Sequence, residues 1–292
     1  MHQPVLIKEI LQTLAPHSGG LYLDGCLGAG GYAEAILNAS SPDGQLFGFD
    51  VDSESIERTE QRLQTFRKRF RFWHAGYHEA ASILESTGIG KLDGIVIDLG
   101  LSSDQLEDQE RGFSFKFQSP LDMRFDRTKG KSAQDLLHDL SEVELEQIIS
   151  NYGEEPRAAK IARRLKEAIK NGALDSTEQL SEIVAKSVGR KRGRIHPATR
   201  VFQALRIAVN DELNNLKRGL EELPRLLKTN SRLCIVSYHS LEDRLVKSTF
   251  RDMGRNFHKW HVVTPRPLRP SLEETRSNPR SRSAKMRVIE AL

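Results

Sequence analysis

Short apolar runs alternate with amphipathic stretches through the first third of the chain. Leu21-Tyr22-Leu23-Asp24 reads as a buried strand running into a glycine loop, a helix follows through Ala33, Ile36 and Leu37, and Gln45 to Phe49 forms a second strand ending at Asp50. A helix with Ile56, Leu63 and Phe66 on one face comes next, then a strand from Phe70 to His74, another helix and a strand from Asp93 to Asp98. Such alternation predicts a mostly parallel sheet covered on both faces. From about Gln105 the pattern changes, and a loop rich in Gly, Ser and Phe leads into consecutive helical segments with no strand between them. Ser141 with Glu144 and Ser176 with Gln179 have the spacing of capping boxes, and Gly153 and Pro156 separate two of the helices. A helix from about Ala198 to Leu220 returns to the sheet, Arg232 to Ser237 reads as another buried strand, a helix runs through Leu245, and Lys285 to Glu290 closes the sheet. Pro265 to Pro279 reads as a surface loop. The expected fold class is α/β, an open sheet interrupted by an inserted all-helical domain.

Composition narrows the function classes. The longest apolar stretches, such as Ile95-Val96-Ile97, fall far short of the roughly 20 residues a spanning helix needs. Lys8 and Glu9 spoil any N-terminal signal core, so the chain is expected in the cytoplasm without membrane association. Two cysteines, Cys26 and Cys234, build neither a disulfide framework nor a cysteine-rich zinc site. The net charge of +4 is modest, but cations concentrate between Arg157 and Arg206 and again between Arg266 and Arg287. Clustered cations suit a polyphosphate ligand, because each neutralised phosphate releases condensed counterions; a solvated basic surface gives the same pattern.

Three loops carry candidate chemistry. The stretch Asp24 to Tyr32 lies between a strand and a helix, where missing Cβ atoms let backbone amides approach a ligand. Gly28, Gly30 and Ala33 also satisfy the dinucleotide fingerprint, so this loop alone fits NAD as well as S-adenosylmethionine. Asp50 ends the next strand, where a carboxylate can accept from both ribose hydroxyls of either cofactor. Asp98 to Leu106 follows a strand at the carboxyl edge of the sheet, where open α/β folds place their ligands. An aspartate there can accept a hydrogen bond from an exocyclic amine during attack on a methyl donor. Ser102 reads either as part of that site or as the cap of the next segment. His239, after a strand, is a candidate for positioning a target nucleotide. His258 and His261 have a helix-compatible spacing but no carboxylate cluster nearby, and no metal site is expected.

Many segments, in order and over nearly the whole chain, resemble the MraW (RsmH) family. They include His2-Gln3-Pro4-Val5-Leu6, the Asp24 to Tyr32 loop, Asp98 to Leu106, Arg111-Gly112-Phe113-Ser114-Phe115 and Pro120-Leu121-Asp122-Met123-Arg124. His196-Pro197-Ala198-Thr199-Arg200, Tyr238 to Arg244 and Asn278 to Lys285 extend the match. The resemblance implies a Rossmann-like class I methyltransferase sheet from residues 1–108 and 200–292, with residues 109–199 as an inserted helical RNA-recognition domain. It implies methyl transfer from S-adenosylmethionine to N4 of a cytidine in the decoding region of 16S ribosomal RNA. The small ribosomal subunit is the implied partner, with a homodimer as a candidate assembly. Carried over by motif, the cofactor contacts are Gly30, Gly31, Tyr32, Asp50, Tyr77, Asp98 and Gln105, and the catalytic candidates are Asp98, Ser102 and His239. The chain departs from the family pattern at Cys26, Tyr32 and Asp104, where Thr, His and Pro are usual, so any contact at Tyr32 is expected through its backbone. Methylation at a pyrimidine carbon needs a cysteine nucleophile, and the placement of the two cysteines favours an amine target.

Overall fold

The computed structural model describes residues 4–189, 196–256 and 258–292; His2 and Gln3 of the N-terminal segment and the cations at 190–194 lie outside the described residues. The chain runs α1 (Ile7–Leu14), β1 (Leu21–Asp24), α2 (Gly31–Ala39), β2 (Gln45–Asp50), α3 (Ser53–Arg62), β3 (Phe70–His74), α4 (Ala80–Ser86) and β4 (Leu92–Asp98). It continues through α5 (Ser103–Glu107), α6 (Ala133–Asp139), α7 (Glu142–Gly153), α8 (Ala158–Lys170), α9 (Thr177–Val188) and α10 (Ala198–Asn210). The last part is α11 (Glu212–Glu222), β5 (Leu227–Ser237), α12 (Ser240–Gly254), β6 (Trp260–Val262), α13 (Leu272–Ser277) and β7 (Lys285–Ala291). Two compact units result, one of residues 1–100 with 213–292 and one of residues 101–212.

The first unit is built on a seven-stranded sheet of order β3-β2-β1-β4-β5-β7-β6. Strands β1 to β5 are parallel, and β7 runs antiparallel between β5 and β6. The period-2 alternation of a strand sorts its side chains onto the two faces. Leu23, Ile95, Ile97, Leu233, Ile235 and Ile289 face α4, α11 and α12, while Tyr22, Val96, Cys234, Val236 and Val288 face α1, α2 and α3. All of these strand residues are buried to within 1%. Each apolar side chain of this size contributes roughly 1.5–3 kcal/mol of transfer free energy, which is why the central strands read as continuous apolar runs.

The second unit is helical around its own core, with Leu137, Leu145, Ile149, Ile161, Leu165, Leu180 and Val201 fully or almost fully buried. Ser141 and Glu144 form the expected capping box, each accepting from the other's N–H. Ser176 caps α9 by accepting from the Gln179 N–H, but the Gln179 side chain accepts from Asp175 N at 2.8 Å instead of closing the box. The helix expected from Ala198 to Leu220 is broken at Asp211, which sits at φ 50°. An aspartate tolerates that left-handed conformation because its short polar side chain can bond locally. The segment from Pro265 to Pro279 is not wholly loop, since α13 occupies its second half behind a Ser271 cap that accepts from Glu274 N at 3.0 Å. His261 lies in β6, so it shares no helix face with His258.

Candidate active site

Parallel strands bring their carboxyl ends to one edge, and β1, β2 and β4 end there in Asp24, Asp50 and Asp98. Between β1 and α2 the chain must turn sharply. Gly30 does so at φ 75° immediately before α2, a conformation that costs a side-chain-bearing residue roughly 1–2 kcal/mol. At Gly25 an added Cβ would stand 2.2 Å from Ile97 Cδ1 and 2.8 Å from Tyr77 Cβ, so a side chain there would force both neighbours to shift. The first-turn N–H groups of α2, those of Gly31 and Tyr32 among them, have no intrahelical acceptor and give this end a partial positive charge. Asp50 ties the loop down: Oδ2 accepts from Gly28 N and Oδ1 from Asp52 N, both at 2.9 Å.

The three carboxyl groups are all held above their usual range. Burial pushes Asp24 up to about 7, against the pull of the Cys26 N–H, with Asp98 and Asp50 adding to the rise. Burial takes Asp50 to about 6, opposed by the Gly28 and Asp52 N–H groups. Asp98 is pushed to about 7 by burial, opposed by the Tyr238 and Tyr32 hydroxyls. The effect is firmest at Asp24, which has no exposed surface, whereas Asp50 and Asp98 keep some access to solvent. A carboxyl group whose folded pKa is raised contributes stability that is full below its unfolded value and is lost as pH rises through the folded one. The thermal midpoint of the ligand-free protein is therefore expected to fall between roughly pH 4 and 7, and Asp24→Asn to flatten that decline; an identical slope in wild type and variant would contradict it.

Asp98 Oδ1 accepts from the Tyr238 hydroxyl at 2.9 Å. Tyr32 is 4% exposed, and its hydroxyl donates to the Val5 carbonyl at 2.5 Å while lying close to Asp98 as well. Ser102 and Gln105 belong to the second unit, where they form the capping box of α5, each accepting from the other's N–H at 3.1 Å. His239 is the N-cap of α12: its Nδ1 accepts from Glu242 N at 3.4 Å, and its Nε2 lies 3.1 Å from Glu242 Oε1 without the alignment of a hydrogen bond. Tyr77 opens a short turn, Tyr77–Glu79, and packs against the core, leaving no room for a Cβ on Gly219. Reading the residues one by one missed two members of this edge, Asp24 as a buried acid and Tyr238 as the partner of Asp98. The signal for Asp24 was its place at a strand end, shared with Asp50 and Asp98. In the second unit Phe113 packs on Phe125 and Phe115 stacks on His196, so these rings serve the insert's own core.

Neither cysteine is built as a nucleophile. Burial pushes the Cys234 thiol to about 12, and burial with the neighbouring Asp50, Asp24 and Asp98 charges raises Cys26 well above the ordinary thiol value. A reactive cysteine requires the opposite shift. Proteins with Cys26→Ala or Cys234→Ala are expected to keep their turnover within a few-fold, and abolished turnover in either would point to covalent chemistry at the thiol.

The strand order departs from that of dinucleotide-binding sheets, which continue parallel beside β5. It is the class I methyltransferase arrangement. A solved Clostridium thermocellum chain assigned as an rRNA-methylase superposes with a TM-score of 0.51 at 11% identity, covering 100% of both chains, a likeness of fold alone. The protein named ribosomal RNA small subunit methyltransferase H from Citrifermentans bemidjiense is 46% identical, the alignment covering 100% of this chain and 98% of the relative. Its namesake from Thermomicrobium roseum is 44% identical over 100% and 94%. The model of the MraW methylase family matches residues 1–292. The chain belongs to the MraW methylase family.

As an MraW methylase the protein is a methyltransferase, and its methyl donor is S-adenosylmethionine. The carboxyl edge fits that molecule. A ribose diol needs an acceptor, and each Asp50 oxygen has one lone pair beyond its single backbone bond. An amino acid carboxylate needs N–H donors, which the start of α2 presents. Asp24 Oδ2, buried without a hydrogen-bond partner, marks a place where a donor is wanted. Among the described residues of this MraW methylase no helix is long and apolar enough to cross a membrane.

Proposed function

We propose that the protein methylates N4 of a cytidine in the decoding region of 16S ribosomal RNA, acting in the cytoplasm on the small ribosomal subunit. The observation that carries this reading is Asp98: a carboxyl group at the end of β4, oriented by the Tyr238 hydroxyl at 2.9 Å and held near neutral pKa. Membership of the MraW family and relatives named for the small-subunit RNA support the substrate class.

When bound, S-adenosylmethionine supplies an electrophilic methyl group. The protein's task is to make a weakly nucleophilic aromatic amine reactive and to remove its proton. Asp98 accepts a hydrogen bond from the exocyclic N–H, localises the nitrogen lone pair and takes the proton. An acceptor with a pKa near the working pH is largely deprotonated and still basic enough to accept. Asp50 and the backbone amides of Gly30, Gly31 and Tyr32 hold the cofactor, with Tyr77 and Asp98 completing the set. Ser102 and His239 are positioning candidates that act through their caps. The sheet unit, residues 1–100 with 213–292, carries this chemistry, and the helical unit of residues 101–212, wider than the 109–199 the sequence suggests, grips structured RNA with its cations.

Tritiated methyl transfer to small subunits lacking the modification, followed by nucleoside mass spectrometry, tests the reading. N4-methylcytidine is the expected product. No incorporation into subunits or free RNA, despite cofactor binding, would replace it with an assembly factor that binds without turnover.

A further inference from the structure

We propose that the groove between α12 and β6 is a second RNA subsite that takes a single-stranded segment by its phosphates and one stacked base. The proposal rests on RNA being the substrate. The groove encloses about 430 Å³ and is lined by Lys247, Arg251, Arg255, Trp260, His261 and Arg287 over a floor that includes the buried Phe250. Helix α12 and β6 approach closely at Gly254, where an added Cβ would meet Val262 Cγ2 at 2.6 Å. The cations differ in how they are held. Arg287 is 5% exposed and fixed to Asp243 at 2.7 Å, which also takes Lys285 at 2.7 Å. Arg251 and Arg255 share the single acid Asp252, at 3.5 and 3.1 Å, and their side chains are 62% and 73% exposed. One carboxylate cannot neutralise two guanidinium groups, so the rim keeps positive charge.

The sequence concentrates that charge. From Arg244 to Arg269 there are seven lysines and arginines against one acid, an excess larger than the +4 of the whole chain, so the rest of the protein is net acidic. Trp260 packs partly against the sheet core and, half-buried, also lines the groove with its indole. Phosphodiester recognition uses both kinds of group, cations for the backbone and an aromatic face for a base, in a sequence-tolerant way. The site is separate from the reaction edge. Strand β6 lies three places from β4 in the sheet, on the order of 14 Å at the usual strand spacing. Trp260 pairs with Ala291 beyond Glu290, the partner of Arg232 at the start of the β5 ladder, whereas Asp98 pairs with Val236 near its end. A strand held here leaves the carboxyl edge free for the target nucleotide.

The full chain carrying Trp73→Phe retains Trp260 as its single tryptophan. A single-stranded homopolymer RNA of about twelve nucleotides, within the span of known single-strand grooves, is expected to quench its fluorescence saturably. Arg251→Glu with Arg255→Glu should weaken binding about tenfold and lower the salt slope by about 1.4, two phosphate contacts at roughly 0.7 each. The paired Lys substitutions should retain binding. Reversal of the exposed Arg67 and Lys68 elsewhere in the unit should leave it unchanged. Unchanged affinity in the groove variant, equal loss in the Arg67 and Lys68 control, or equal binding of polyglutamate would each overturn the proposal. Product analysis in parallel keeps the two readings apart: no quench with N4-methylcytidine still formed strikes the groove alone, and a quench without product strikes the proposed reaction alone.

Discussion

Asp98→Asn is expected to lower the methyl-transfer rate at saturating cofactor by roughly two to four orders of magnitude, the range supplied by a positioned proton acceptor. Asparagine keeps the shape and an oxygen for the Tyr238 hydroxyl, which now reaches Asp98 at 2.9 Å, but it cannot take a proton. Cofactor affinity should change far less than the rate, and a variant with normal turnover would remove Asp98 from the chemistry. The pH profile gives an independent check. Burial pushes Asp98 to about 7 and the Tyr238 hydroxyl bond pulls it down, so wild-type activity should fall as pH drops through that region. Tyr238→Phe removes a donor that favours the charged form. Its acidic limb should therefore move to higher pH, while a merely structural tyrosine would change the amplitude and leave the limb in place.

Asp50→Ala is expected to weaken S-adenosylmethionine binding by about two orders of magnitude or more, as calorimetry would read it. A hydrogen bond to a charged group contributes roughly 1.5–3 kcal/mol, and Asp50 has one free lone pair on each oxygen to offer a diol. The same substitution leaves the Gly28 and Asp52 N–H groups without their acceptor, so the glycine loop loses the tie that shapes it. Asp50→Asn should sit between wild type and alanine, because it can still receive one of those bonds. Affinity equal to wild type in the alanine variant would place the cofactor elsewhere.

The sheet was readable because burial on both faces writes itself as apolar runs, and Ile95-Val96-Ile97 or Leu233 to Val236 need no context to be recognised as strands. Asp50 and Asp98 were readable for a related reason, since an acid at the end of an apolar strand is a local pattern. Tertiary contact was not. Tyr238 meets Asp98 across 140 residues, and no periodicity connects them. The three-residue β6 is too short to show alternation and exists because β7 offers it an edge. The break at Asp211 was hidden because Ala198 to Leu220 keeps helical spacing on both sides of one left-handed residue, with Arg206 clamped to Glu212 at 2.8 Å across it. At Ser102 the sequence admitted both a cap and a chemical role, whereas at His239 it offered only a positioning role, and both residues form caps.

The pairing of β4 with β5, Val96 beside Cys234, also sets an order of events during synthesis. At roughly 5–20 residues per second, β4 leaves the ribosome on the order of ten seconds before its neighbour exists. Through that interval a buried central strand of the sheet has an open edge, the kind that recruits strands from other chains. The helical insert is made in the meantime from contacts of its own. A chain that folds this segment early has fewer loose residues left to close the loop before β5, so the part assigned to gripping RNA also bears on how safely the catalytic sheet is completed.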